Sequence, residues 1–273
     1  MPSFVKAKKN VDFLLGNDSK DIEVGISVLP NFEIMNRFGD IDYSFKKLPP
    51  VYGFRSEKLV SLEKSLELLE SQIDELSYYI KIAKKNCHFP NDHGLSKDQS
   101  ASIYIYTMEW GEQTLYRVLN QALRSENRQA LKIWFPYLKL FDTALNLLPT
   151  VKEVVWRGVP LDIGKSFTKD QIFAWWSVSS CSSSVNVIET FLQNKSNSTL
   201  FLIEAVNGKN VSGYTEFGVK ANPLKRVDGS HVVHLIEIND EDDRQPLLTP
   251  VAIRNIQKRN LNWKRMWREV KSI

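Results

Sequence analysis

Residues 151–184, VKEVVWRGVPLDIGKSFTKDQIFAWWSVSSCSSS, hold two apolar runs that each end in residues suited to gripping phosphate. Val151 to Trp156 is rich in β-branched and aromatic side chains and reads as a strand, with Arg157-Gly158 at its end, where a side chain leaves the sheet. A guanidinium is a planar fork of donors that holds two phosphate oxygens at once, and Gly158 lets a ligand come close to the backbone. Ile172 to Val178 reads as a second strand. Ser179-Ser180-Cys181-Ser182-Ser183-Ser184 then gathers five hydroxyls into a turn.

An arginine at a strand end is commonly a surface ion-pair partner, and a serine run is commonly a loop or a helix cap. Here both occur together, with an aromatic-rich strand between them and Gly213-Tyr214-Thr215-Glu216 further on. That order resembles the catalytic core of the arginine-directed mono-ADP-ribosyltransferases, which place an arginine on one strand, serine-x-serine on the next and glutamate-x-glutamate beyond. W-R-G at 156–158 and S-S-C-S at 179–182 match the first two parts. YIYTMEW (104–110), LYRVLNQALRS (115–125) and WFPYLKLFDTALNLLP (134–149) look like the family's helical lead-in, so the resemblance runs from about residue 90 to about residue 240.

The resemblance implies an α+β fold: a helical N-terminal part, then an ADP-ribosyltransferase-like core of two small packed β-sheets that form an NAD cleft. The family has no Rossmann glycine loop, and no G-x-G-x-x-G occurs in the chain. NAD is implied as co-substrate, with no metal. Its nicotinamide–ribose bond breaks through an oxocarbenium-like state, as in glycoside hydrolysis, and ADP-ribose passes to a protein acceptor with an exposed arginine. By carry-over, Arg157 anchors the NAD phosphate and ribose, and Gly158 presents backbone groups to the nicotinamide amide. Ser180 and Ser182, with Ser179 beside them, brace the ribose and the catalytic carboxylate, and Trp176 lines the cleft. The third motif departs from the pattern. After Phe217 the chain continues GVKANPLKRVDGSHVV, with no acid before Asp228, so the paired glutamates are missing and Glu216 is the one acid near their place. Two functional readings follow: a transferase, and an NAD-binding module without catalysis that acts through partners.

Outward from this centre, residues 90–246 form the expected transferase-like domain. Thr199 to Val206 and His231 to Ile238 read as strands, the latter with His231 and His234 on opposite faces and so unsuited to a shared metal. Upstream, Ser96-Lys97-Asp98-Gln99 is a capping box that opens a helix carrying Ile103, Tyr106, Trp110, Leu115, Val118, Leu119 and Ala122 on one face. A helical stretch over 128–148 contains Pro136, which should kink or divide it. At 56–88, Leu59, Leu62, Leu66, Leu69, Ile73, Leu76, Ile80 and Ala83 recur at alternating spacings of three and four. They predict one long amphipathic helix, either a coiled-coil partner surface or a helix laid on the chain's own core. Residues 1–55 show no helical period and form a variable segment of strands and loops or a docked arm. The tail, 247–273, places seven basic residues against one acidic from Arg254 onward, a helix suited to an anionic partner or to docking its tryptophans on the core.

At 273 residues and 42% hydrophobic content the chain can bury a sizeable core, and a net charge of +4 is too slight to indicate a nucleic-acid protein. Cys87 and Cys181 show neither disulfide nor zinc spacing, no run reaches membrane-spanning length, and the start carries no secretory pattern. These features predict a cytoplasmic protein and leave the oligomeric state open.

Overall fold

The computed structural model describes residues 3–8, 48–168, 171–185, 188, 192, 198–216 and 231–238, an α+β arrangement in which, in chain order, a helical layer lies between the first strand and the remaining strands of two sheets. The layer comprises α1 (Leu62–Leu66), α2 (Leu76–Asn86), α3 (Lys97–Thr107), α4 (Leu115–Arg124) and α5 (Phe135–Leu147). Helix α3 starts where its capping box predicts: Gln99 N–H donates to Ser96 Oγ at 3.2 Å, and Ser96 N–H donates to Gln99 Oε1 at 2.8 Å. Pro136 divides the 128–148 stretch, with a 3-10 turn over Arg128–Trp134 before it and α5 after it. In the first turn of α5 its missing N–H costs nothing.

The single helix expected over 56–88 is instead two helices with a break between them. Leu62, Leu66, Leu69, Ile73, Leu76, Ile80 and Ala83 are all buried in one core with α3 to α5, so the seam is real but packs on its own chain; Leu59 is exposed. The cause of the break is tertiary. Asp74 N–H donates to Gln113 O at 3.2 Å, its carboxylate accepts Gln113 N–H at 3.0 Å and its carbonyl accepts Trp110 Nε1–H at 2.6 Å. Those bonds replace helical ones, and Glu75 takes a left-handed φ of 48° to restart the chain as α2. The same contact divides the helix expected after Ser96, since residues 108–114 leave α3 to meet Asp74, and Gly111 supplies a φ of 48° there. Lys84 then joins three helices, bridging Glu63 of α1 at 2.8 Å and Asp98 at the start of α3 at 2.9 Å. Burial opposes its charge, but the bonds to those two carboxylates outweigh burial and raise its pKa.

The larger sheet has the order β3-β5-β7-β1-β4, with β1 Ser3–Lys8, β3 Val154–Val159, β4 Ile172–Trp175, β5 Thr199–Glu204 and β7 His231–Ile238. Its pairings are antiparallel except β5 with β7. A smaller sheet pairs β2 (Thr150–Val151) with β6 (Gly208–Lys209). The strand expected over 151–156 is therefore displaced, and Arg157 and Gly158 lie within β3, opposite Phe201 and Leu200, rather than beyond its end. One face of the sheet buries Val159, Ile163, Phe167, Trp175, Phe201 and Ile203. On the other, Ile188 and Leu192 pack with Trp156 and Leu200. Thr199 fixes the loop after β3, accepting the N–H groups of Ile163 and Gly164 at 3.0 Å each and donating to Leu161 O at 2.8 Å. The basic tail and the segment 217–230 lie outside the described residues.

Candidate functional site

Strand alternation sends Arg157 to the face that carries Phe201 and Trp175, and Gly158 to the opposite one. Arg157 is 2% exposed. Its guanidinium carbon stands 5.5 Å over the Trp175 ring, and Nη1 donates to the Ser180 carbonyl at 3.2 Å. The arginine and the serine run, 23 residues apart in sequence, are thus joined directly. A second tie lies alongside: Trp156 N–H donates to Ser182 O at 2.7 Å and Ser182 N–H to Trp156 O at 2.9 Å, an isolated antiparallel bridge. Trp156 turns both backbone groups toward the serine run, and two residues on, Gly158 turns its own toward that same edge of β3, which pairs with no other strand among the described residues.

Each serine has a different environment. Ser177 is 5% exposed, and its Oγ, like that of Ser179, is buried without a hydrogen-bond partner. Buried hydroxyls are nearly always paired, so two orphans in one short segment call for an explanation. Ser180 contributes its carbonyl to Arg157. Ser182 contributes its backbone to Trp156, and its Oγ accepts Ser184 N–H at 3.1 Å.

The surroundings of three expected site residues are specific. A Cβ on Gly158 would lie 2.5 Å from Ile188 Cγ2 and 2.9 Å from Leu192 Cγ, so side-chain packing accounts for the glycine and only its backbone faces the open edge. The aromatic beside Arg157 is Trp175; Trp176 is covered by Arg128, whose guanidinium lies 4.8 Å over its ring. Burial lowers the pKa of Arg128, which also donates to the carbonyls of Pro49, Leu123 and Ser125. Glu216 belongs to the helical side: its N–H donates to Thr107 Oγ1 at 2.9 Å, and its Oε2 accepts Glu109 N–H at 3.3 Å.

Residues not singled out in the sequence also build the site. Tyr106 and Asn120, both buried, take the two backbone groups of Val178. Nothing in the local sequence marks them, since Tyr106 reads as part of its helix's apolar face and Asn120 as an ordinary helical polar residue. Trp175 and Ser177 were legible in the spacing W-x-S-x-S through Ser179. Among the described residues no group of three His, Cys, Asp or Glu is placed to hold a metal, and no helix is long and apolar enough to cross a membrane.

The chain belongs to the NAD:arginine ADP-ribosyltransferase family, whose model matches residues 56–225, more than half its length. The family uses NAD as co-substrate and acts on protein acceptors. Among solved structures, the ADP-ribosyltransferase Vis toxin from Vibrio splendidus is 14% identical, with 70% of this chain and 93% of that one covered at a TM-score of 0.39. Vis in complex with agmatine is likewise 14% identical, covering 69% and 91% at a TM-score of 0.38. No curated protein matches the chain.

Proposed function

We propose that the protein binds NAD across Arg157 and the serine segment and transfers its ADP-ribose to an arginine side chain of a protein acceptor. The observation that carries this reading is the direct bond from buried Arg157 to Ser180, which unites the arginine and serine motifs beside two unpartnered hydroxyls. Those groups fit NAD. Arg157 supplies a fixed positive charge for phosphate and ribose, Ser177 and Ser179 offer hydroxyls to polar edges of the ligand, and the Gly158 backbone faces the edge where an amide can pair. Bound NAD supplies a ribose activated by its nicotinamide leaving group. The acceptor nitrogen then bonds to the ribose carbon as the bond to nicotinamide breaks, nicotinamide leaves, and that nitrogen releases its proton to solvent. The proposed unit spans 90–246, preceded by the 56–88 helices; a cytoplasmic setting is supported by Cys87 being buried and Cys181 exposed with no bridge between them.

A second reading, NAD binding without transfer, is favoured by a specific observation. No Glu-x-Glu occurs between Glu204 and Asp243, and Glu216 is engaged at Thr107 and Glu109. Loss of a positioned acid–base carboxylate costs about 10²- to 10⁴-fold in rate. Incubating the protein with labelled NAD and agmatine separates the two. Labelled agmatine supports the transferase, binding without transfer or NAD hydrolysis at high protein concentration supports the second reading, and absence of NAD binding removes both.

A further inference from the structure

The backbone of Val178, between β4 and the serine run, is held by side chains instead of a neighbouring strand. Its N–H donates to Asn120 Oδ1 at 3.1 Å, and its carbonyl accepts Tyr106 O–H at 3.1 Å. Asn120 Nδ2 closes the loop by donating to the Tyr106 oxygen at 3.2 Å. Asn120 is 3% and Tyr106 4% exposed, so water does not compete for these bonds. Tyr106 comes from α3 and Asn120 from α4, and the phenol ring is wedged against Tyr116 and Phe141. The two helices therefore grip one residue of the sheet side by both its donor and its acceptor, in the two peptides that flank Val178.

That residue sits at a sensitive place. Ser177 and Ser179, with their orphan hydroxyls, flank it, and two residues on, within about 7 Å of chain, Ser180 receives Arg157. Strand β4 ends at Trp175, so its pairing with β1 does not set the course of the chain beyond it. We infer that Tyr106 and Asn120 are positioning residues, a two-point clip that sets where the serine segment stands relative to Arg157 and so tunes NAD affinity from the helical layer. The inference rests on the reading of that segment as the NAD site.

The test compares two tyrosines of the same core in the full-length protein. Tyr137 also donates a buried O–H to a backbone carbonyl, Ser102 O at 2.9 Å, but that carbonyl lies inside the helical layer. Tyr106→Phe and Tyr137→Phe each remove one such bond and keep the ring, and Tyr106→Phe also removes the bond from Asn120 that is part of the clip. Calorimetric titration with NAD is expected to show a Kd raised about five- to tenfold in Tyr106→Phe and in Asn120→Ala, with Tyr137→Phe at the wild-type value although its melting temperature also falls. Hydrogen exchange over 176–182 should quicken in Tyr106→Phe and Asn120→Ala and stay at the wild-type rate in Tyr137→Phe. Wild-type affinity in Tyr106→Phe, or an equal loss in Tyr137→Phe, overturns the clip while leaving the NAD site standing. A wild-type protein that binds no NAD overturns the site, and the clip's role with it.

Discussion

Helix α3 and the segment after β4 treat buried hydroxyls in opposite ways. In α3, Ser100 donates to His88 O at 2.8 Å, Ser102 to Gln99 O at 2.7 Å, Thr107 to Tyr104 O at 2.7 Å and Tyr106 to Val178 O at 3.1 Å. After β4, Ser177 and Ser179 bury hydroxyls with no partner. Leaving such a group unsatisfied costs about 1–3 kcal/mol. Helix α3 thus satisfies its buried hydroxyls, whereas Ser177 and Ser179, like Thr114 at the start of α4, leave theirs unmatched. Function is read most directly where satisfaction is incomplete.

The largest expected effect is at the junction of the two regions. Arg157→Lys keeps a charge but loses the fork, so it abandons either the Ser180 carbonyl or the ligand. NAD affinity should fall about 100-fold, worth about 2.7 kcal/mol; an unchanged titration would mean Arg157 only holds the sheet. Next is Gly158→Ala, which places a Cβ against Ile188 and Leu192 and should cost about 1–3 kcal/mol in chemical denaturation. A neutral outcome would show that the 188–192 packing yields easily.

The contrast itself is sharpened by a pair of serine deletions. Ser100→Ala strands the His88 carbonyl and should destabilise the fold by about 1 kcal/mol without touching NAD affinity. Ser177→Ala removes an orphan, so stability should hold or rise while NAD affinity falls about fivefold. If the two behave alike, the difference drawn between the regions is wrong. The smallest effect is expected at Glu216, tied to Thr107 and Glu109 on the helical side. Glu216→Gln should leave NAD hydrolysis within about twofold of wild type, whereas a drop of about 10²-fold would put that carboxylate in the reaction.

Local chemistry was legible in the sequence and long-range pairing was not. The Ser96 capping box and the division at Pro136 depend on neighbours within four residues, and both appear as read. W-R-G and S-S-C-S drew attention to two segments that the fold joins through the Arg157–Ser180 bond, although Arg157 lies within β3 and not at its end. The break at Asp74 was hidden, since its cause is Trp110 and Gln113 more than thirty residues away. So was β1: six N-terminal residues without a helical period gave no sign that they would pair with both Ile172–Trp175 and His231–Ile238. The clip on Val178 was equally concealed, because Tyr106 and Asn120 look like ordinary helix residues until the sheet is laid against them.

The account stands most squarely on one titration, wild-type protein against NAD by calorimetry, with no acceptor present. A site built from a buried guanidinium, two orphan hydroxyls and an open strand edge predicts saturable one-to-one binding in the micromolar range. Absence of heat and of competition at millimolar NAD would contradict it, and the unpaired serines would then need another explanation.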